Sequence, residues 1–131
     1  FKSKANGTNS AAFNRMGKAN GENSTTFGDT CISDGKNSFT AGDHSVALSE
    51  NQFVIGKLKK KDKKQAFIIG NGEADTTAGR KSIHTVDWDG NAFYAGNVET
   101  NAIILKSSTE GSAKRFKITV DDTGTLKVTE I

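Results

Sequence analysis

Apolar and polar positions alternate along this chain in short runs, and the runs recur. NSAAFN, NSTTFG, NSFTAG and NQFVIG begin at Asn9, Asn23, Asn37 and Asn51, each fourteen residues after the last. Gly28, Gly42 and Gly56 share a column with Asn14, and Gly7, Gly21 and Gly35 share another with Ser49. Two further columns hold small residues: Ala5, Ala19, Ser33 and Ala47, then Ser3, Gly17, Cys31 and Ser45. The FVIG at Phe53 to Gly56 returns as FIIG at Phe67 to Gly70. Period-two alternation predicts strands, and the Asn, Gly and Asp columns predict the turns between them, because these residues tolerate left-handed backbone angles.

Fourteen residues suit one coil of a flat solenoid, with two strands of about five residues and two tight turns. Stacked coils would lie about 4.8 Å apart, the ordinary spacing between strands. One face of the first strand carries Ala11 and Phe13, then Thr25 and Phe27, then Phe39 and Ala41, then Phe53 and Ile55. The second strand offers only small residues, which let the two strands approach closely but leave a thin interior. Packing three coils around an axis would remedy this. Phe13, Phe27, Phe39, Phe53, Ile55, Phe67 and Ile69 would then supply the shared core of a homotrimer.

The repeat breaks at KLKKKDKK, Lys57 to Lys64. Positions 59 and 61 fall in the small-residue columns, yet both are lysine. Burying lysine in stacked coils is costly, so a solvated loop or projecting hairpin is expected here, returning at Gln65. Lys59, Lys60 and Lys61 are candidate contacts for an anionic surface polymer. No aromatic residue interleaves the lysines, which argues against nucleic acid.

Beyond residue 70 the pattern is that of antiparallel hairpins. SIHTVDWDGNAFYAG alternates and turns at Asp89-Gly90, a strong hairpin signal. KRFKITVDDTGTLKVTEI spells a second hairpin, turning between Asp121 and Gly124, and NAIILKSS is a further strand. The expected division is therefore β-roll repeats over 1–70, with a basic loop at 57–64, and a β-hairpin module over 71–131. Trp88, Phe93 and Tyr94 cluster on one hairpin. Such aromatics beside Asp and Asn suit either a core or a carbohydrate or receptor contact.

Composition sharpens this picture. Phe, Ile, Leu and Val make up about a fifth of the 131 residues, close to the border below which chains stay disordered. Net charge is only +3 and mean hydropathy is −0.55. A lone chain of this size and composition would struggle to bury enough surface, which again favours association. There is no sustained helical period and no apolar run long enough to span a membrane. A start at Phe1 rather than Met is expected of a fragment.

Catalytic signatures are weak. His44 matches Met16 and Thr30 in the repeat and reads as a tolerant surface position. Cys31, in a column of Ser and Gly, reads as a packing residue. Asp87 to Asn91 has part of the spacing of a calcium loop but lacks the closing Glu. AGRKS at Ala78 to Ser82 lacks the spacing and following helix of a phosphate loop. No catalytic residue, metal site or cofactor is expected.

NSTTFGDTCISDGKNSFTAGDHSVALS resembles the head repeats of trimeric autotransporter adhesins, over about residues 3 to 56. That resemblance implies a left-handed parallel β-roll existing as a trimer. AFIIGNG with TVDWDGNAFYAGNV, and the ending SSTEGSAKRFKITVDDTGTLKVTE, are similar to C-terminal stretches of tail-fibre, baseplate and minor structural proteins of phages and prophages. Without a C-terminal membrane barrel or heptad stalk, the second resemblance is favoured. It implies an all-β trimeric fibre, non-enzymatic and virion-borne, contributing to attachment at a host-surface polysaccharide. The alternative is a fragment of a bacterial trimeric surface adhesin. A third reading is a tail-associated enzyme that degrades polysaccharide.

Overall fold

The computed structural model describes residues 2–13, 15–59 and 61–131. Phe1, Asn14 and the candidate contact Lys60 lie outside the described residues. The fold is all-β: a solenoid of about five stacked turns, followed by an antiparallel sheet. The chain divides into two compact units, Phe1–Gly96 and Asn97–Ile131.

In the first unit each of the first four coils contributes one strand to each of two layers. The thinner layer holds β1 (Lys4–Ala5), β3 (Lys18–Ala19), β5 (Ile32–Ser33) and β7 (Val46–Ala47), all parallel. The broader layer holds β2 (Ala11–Phe13), β4 (Thr25–Asp29), β6 (Phe39–Asp43), β8 (Phe53–Lys57) and β9 (Gln65–Asn71), also parallel. Partners in the register are fourteen apart throughout, as in Thr26 with Thr40 and Val54 with Ile68.

Two corners per coil make the stack. Asn9, Asn23, Asn37 and Asn51 form one, with φ between 53° and 58°. Met16, Thr30, His44 and Leu58 form the other, with φ between 44° and 54°. Asparagine takes the left-handed region at little cost. It also links coils: Asn23 Nδ2 donates to Asn37 Oδ1 and Asn37 Nδ2 to Asn51 Oδ1, both at 3.1 Å. Asn37→Ala removes two rungs of this ladder and leaves alanine in the left-handed region. We expect a loss of about 2 kcal/mol, read from urea unfolding at fixed protein concentration. Asn37→Gly should lose less, because glycine adopts that φ freely.

The interior of the coil inverts the usual expectation. Ala19, Cys31, Ser33, Ser45 and Ala47 of the second-strand columns are buried, as their size requires. Facing them are Thr26, Thr40, Val54 and Ile68, all fully buried. Ser33 Oγ donates to Thr40 Oγ1 at 2.8 Å, so hydroxyls occupy space that apolar groups fill nearer β9. The phenylalanines point outward instead, because side chains alternate along a strand.

The 82–94 hairpin belongs to this unit. β10 (Ser82–Asp87) pairs antiparallel with β9, and β11 (Ala92–Tyr94) pairs with β10, so the broad layer has seven strands. The compact division therefore falls after Gly96, whereas the repeat pattern alone put it near residue 70. Hydrogen bonding to β9 captures the hairpin. In the second unit β12 (Ile103–Lys106), β13 (Arg115–Val120) and β14 (Leu126–Glu130) form a three-stranded antiparallel sheet.

The lysine segment departs from expectation. The chain does return at Gln65, but Lys59 is not solvated: it is fully buried. The reason lies in the corner before it. Leu58 takes the φ of the Met16, Thr30 and His44 column, and its N–H donates to the Asp43 carbonyl at 2.9 Å, as His44 does to Asp29. That geometry turns the next residue inward, where Ser45 stands one coil earlier. The solenoid continues one residue further than side-chain cost suggests.

Candidate functional site

Among the described residues the fifth coil shows no return strand, and residues 57–59 and 61–81 lie at that end of the stack. Several backbone carbonyls there are held by side chains rather than by another coil. Gln52, which breaks the serine column, is fully buried, and its Nε2 donates to the carbonyls of Asp62 and Gln65, both at 2.7 Å. Its Oε1 accepts the Leu48 N–H at 2.7 Å. Ser49 Oγ and Trp88 Nε1 both donate to the Lys63 carbonyl, at 3.1 Å each.

Arg80 is the centre of this region. It is 7% exposed. Its Nη1 donates to the carbonyls of His44 (2.9 Å) and Lys59 (3.1 Å). Its Nε donates to Asp75 Oδ1 at 2.8 Å, and Nη2 donates to the same oxygen. One guanidinium thus ties two successive corners to the 75–80 loop, whose backbone is closed by Arg80 N–H to Thr76 O at 3.0 Å. A cavity of about 430 Å³ opens beside it, lined by Lys61, Asp75, Thr76, Thr77 and Arg80.

Lys59 is the unusual group nearby. Its Nζ is buried and has no hydrogen-bond partner among the described residues. Burial lowers its pKa from the ordinary 10.5 to about 8. The carboxylate of Asp62 works against this, while Arg80 and Lys61 add to it.

The other candidates are dispersed. Trp88 is half-exposed at the hairpin tip, tied to Lys63. Phe93 and Tyr94 are exposed neighbours on β11 and so face opposite sides of the sheet. The three aromatics therefore make no single platform. The Asp87 carboxylate is occupied by the turn: it accepts from the N–H groups of Asp89 (3.0 Å) and Asn91 (2.9 Å) and from Asn91 Nδ2 (2.9 Å). These bonds, the Asn91 side chain first, hold its pKa below the usual range. Cys31 is buried, its Sγ 3.3 Å from the Gly42 carbonyl, and burial raises its pKa. His44 pairs with Asp43 at its corner.

The residues proposed as a shared core form a continuous outer stripe. Ring centroids run from Phe13 to Phe27 at 4.7 Å, Phe27 to Phe39 at 5.8 Å, Phe39 to Phe53 at 4.8 Å and Phe53 to Phe67 at 5.7 Å. The ladder shifts sideways by two residues between Phe27 and Phe39, because Phe27 pairs with Ala41. It continues through His84 to Tyr94, at 5.5 and 4.2 Å. Phe13, Phe27 and Phe53 are exposed, while Phe39, Ile55, Phe67 and Ile69 are half-buried.

Sequence reasoning reached Lys59 and Lys61 but not Asp75, Thr76, Thr77 or Arg80. Gln52 in a serine column was the available signal that something lies over the last coil. No family model, curated protein or solved structure matches the chain.

Proposed function

We propose that this chain is a structural and adhesive segment of a phage or prophage tail fibre, working as a homotrimer on the virion tail and contributing to attachment at host-surface polysaccharide. The observation that carries the trimer is the aromatic stripe on the outside of the broad layer. A single chain leaves five phenylalanines in a row wholly or partly in water, an apolar patch of the kind that marks an interface. Burying a phenylalanine side chain is worth about 1.5–3 kcal/mol, and three-fold packing would multiply that gain.

The second unit has the same deficit. Ile103, Leu105, Phe116, Ile118, Val120, Leu126 and Val128 fall on one face of its sheet by register and alternation. Most of them are exposed. A unit of this size rarely stands without a staple or a partner. The fourteen-residue repeat also suits a bacterial trimeric surface adhesin, in which the same stripe would have the same use.

Solution mass tests the proposal. The purified chain should run at three times 13.9 kDa by light scattering at micromolar concentration. Phe27→Asp with Phe53→Asp should shift it to the mass of one chain, because the charges would be buried in each copy. A folded wild-type monomer would overturn the trimer and the fibre reading with it.

A further inference from the structure

We propose that the cavity at the closed end of the solenoid, lined by Lys61, Asp75, Thr76, Thr77 and Arg80, is a binding site for an acidic saccharide unit, a sugar bearing a carboxylate or a phosphate. The site is built within one chain, so its test stands apart from that of the trimer.

Its size is right: about 430 Å³ falls within the usual range for small-molecule pockets, roughly 300–1,000 Å³. Its groups suit an anion and hydroxyls together. Arg80 has spent four of its five N–H groups, on Asp75, His44 and Lys59. One N–H of Nη2 has no partner among the described residues, and it is fixed in place because the guanidinium is held by Asp75, His44 and Lys59. A pre-set, poorly hydrated donor of this kind is what recognition of a carboxylate or phosphate uses. Lys61, exposed on the same wall, supplies a mobile positive charge.

Asp75 accepts from Arg80 through Oδ1. Oδ2 accepts no hydrogen bond among the described residues and can take a sugar hydroxyl. Thr76 Oγ1 accepts the Gly79 N–H at 3.0 Å, so its hydroxyl proton is free to donate. A cavity with one excess cation on its wall, a carboxylate acceptor and two hydroxyls matches a charged sugar better than a bare ion or a neutral one.

The second observation is the buried Lys59 ammonium. It has no partner among the described residues and stands within electrostatic reach of Arg80 and Lys61, both on the wall. The Asp62 carboxylate opposes Arg80 and Lys61 here, and Asp75 is paired with Arg80, so this end of the stack gathers one positive charge in excess, which a bound anion would balance.

The test is an NMR titration of the labelled full chain with digalacturonate, glucose 6-phosphate, glucose and inorganic phosphate. We expect the amides of Thr76, Thr77 and Gly79 to shift with one or both acidic sugars at millimolar concentration, and not with glucose. Whether digalacturonate or glucose 6-phosphate binds tighter identifies the acid. Lys61→Gln, an exposed position whose change leaves the fold's hydrogen bonds intact, should weaken the binding at least five-fold. Thr77→Val should weaken it further without changing the circular dichroism. Absence of shifts with both acidic sugars overturns the site, as does an unchanged affinity in Lys61→Gln. Inorganic phosphate binding as tightly as glucose 6-phosphate, or glucose binding as tightly as either acid, overturns the saccharide assignment.

Discussion

Gly42→Ala is expected to cost the solenoid about 4 kcal/mol, near the upper end of what single substitutions do. A Cβ at residue 42 would sit 1.9 Å from the Gly56 carbonyl oxygen, and the residue has φ +120°. Neither problem can be relieved by rotating a side chain, because the obstacle is the backbone of the next coil. Gly90→Ala is the control. Gly90 also has positive φ, +87°, but nothing lies within 4 Å of its Cβ position. Its alanine variant should lose only about 1–2 kcal/mol, the cost of the backbone angle alone. Urea unfolding of both variants, at one protein concentration, separates crowding from strain. Equal losses would mean that coil-to-coil contact at this column contributes nothing.

Lys59→Met should stabilise the protein by about 3 kcal/mol at pH 7. The folded-state pKa of about 8 lies below the ordinary 10.5, and each pKa unit is worth about 1.4 kcal/mol. The direction with pH follows from proton counting. Below pH 8 the lysine is charged in both states and the full burial penalty is present. Between about 8 and 10.5 the unfolded chain holds a proton that the folded chain has lost, so wild-type stability should rise with pH. Above 10.5 both states are neutral and the advantage of methionine should vanish. The variant-minus-wild-type difference in unfolding free energy, followed from pH 7 to 11, cancels the titration of the other lysines. A difference that stays flat would place the Lys59 ammonium in water.

The period, the asparagine corners, the small-residue columns and both hairpins were legible because each rests on local chemistry repeated at a fixed interval. Which face of the first strand turns inward was not. Phe13, Phe27 and Phe53 lie outside while Thr26 and Thr40 lie inside, against the rule that apolar residues mark the interior. The rule fails because the space within a coil is narrow: small hydroxylated residues fit it, and Thr40 bonds across it to Ser33, although the Thr26 hydroxyl has no partner among the described residues. Lys59 departs from expectation for a related reason. Its burial is set by the corner at Leu58, whereas its side chain alone argues for solvent. The cavity was invisible because residues 61, 75–77 and 80 come together only when Arg80 reaches back to the carbonyls of His44 and Lys59.

The inter-strand hydrogen bonds of the first unit join each coil to the next, so they run along the direction of stacking. Tension along that direction loads the rungs in series. Every interface then carries the whole force, and the weakest one sets the strength however many coils are added. A stack built this way gains length with each added coil but no added resistance to pulling.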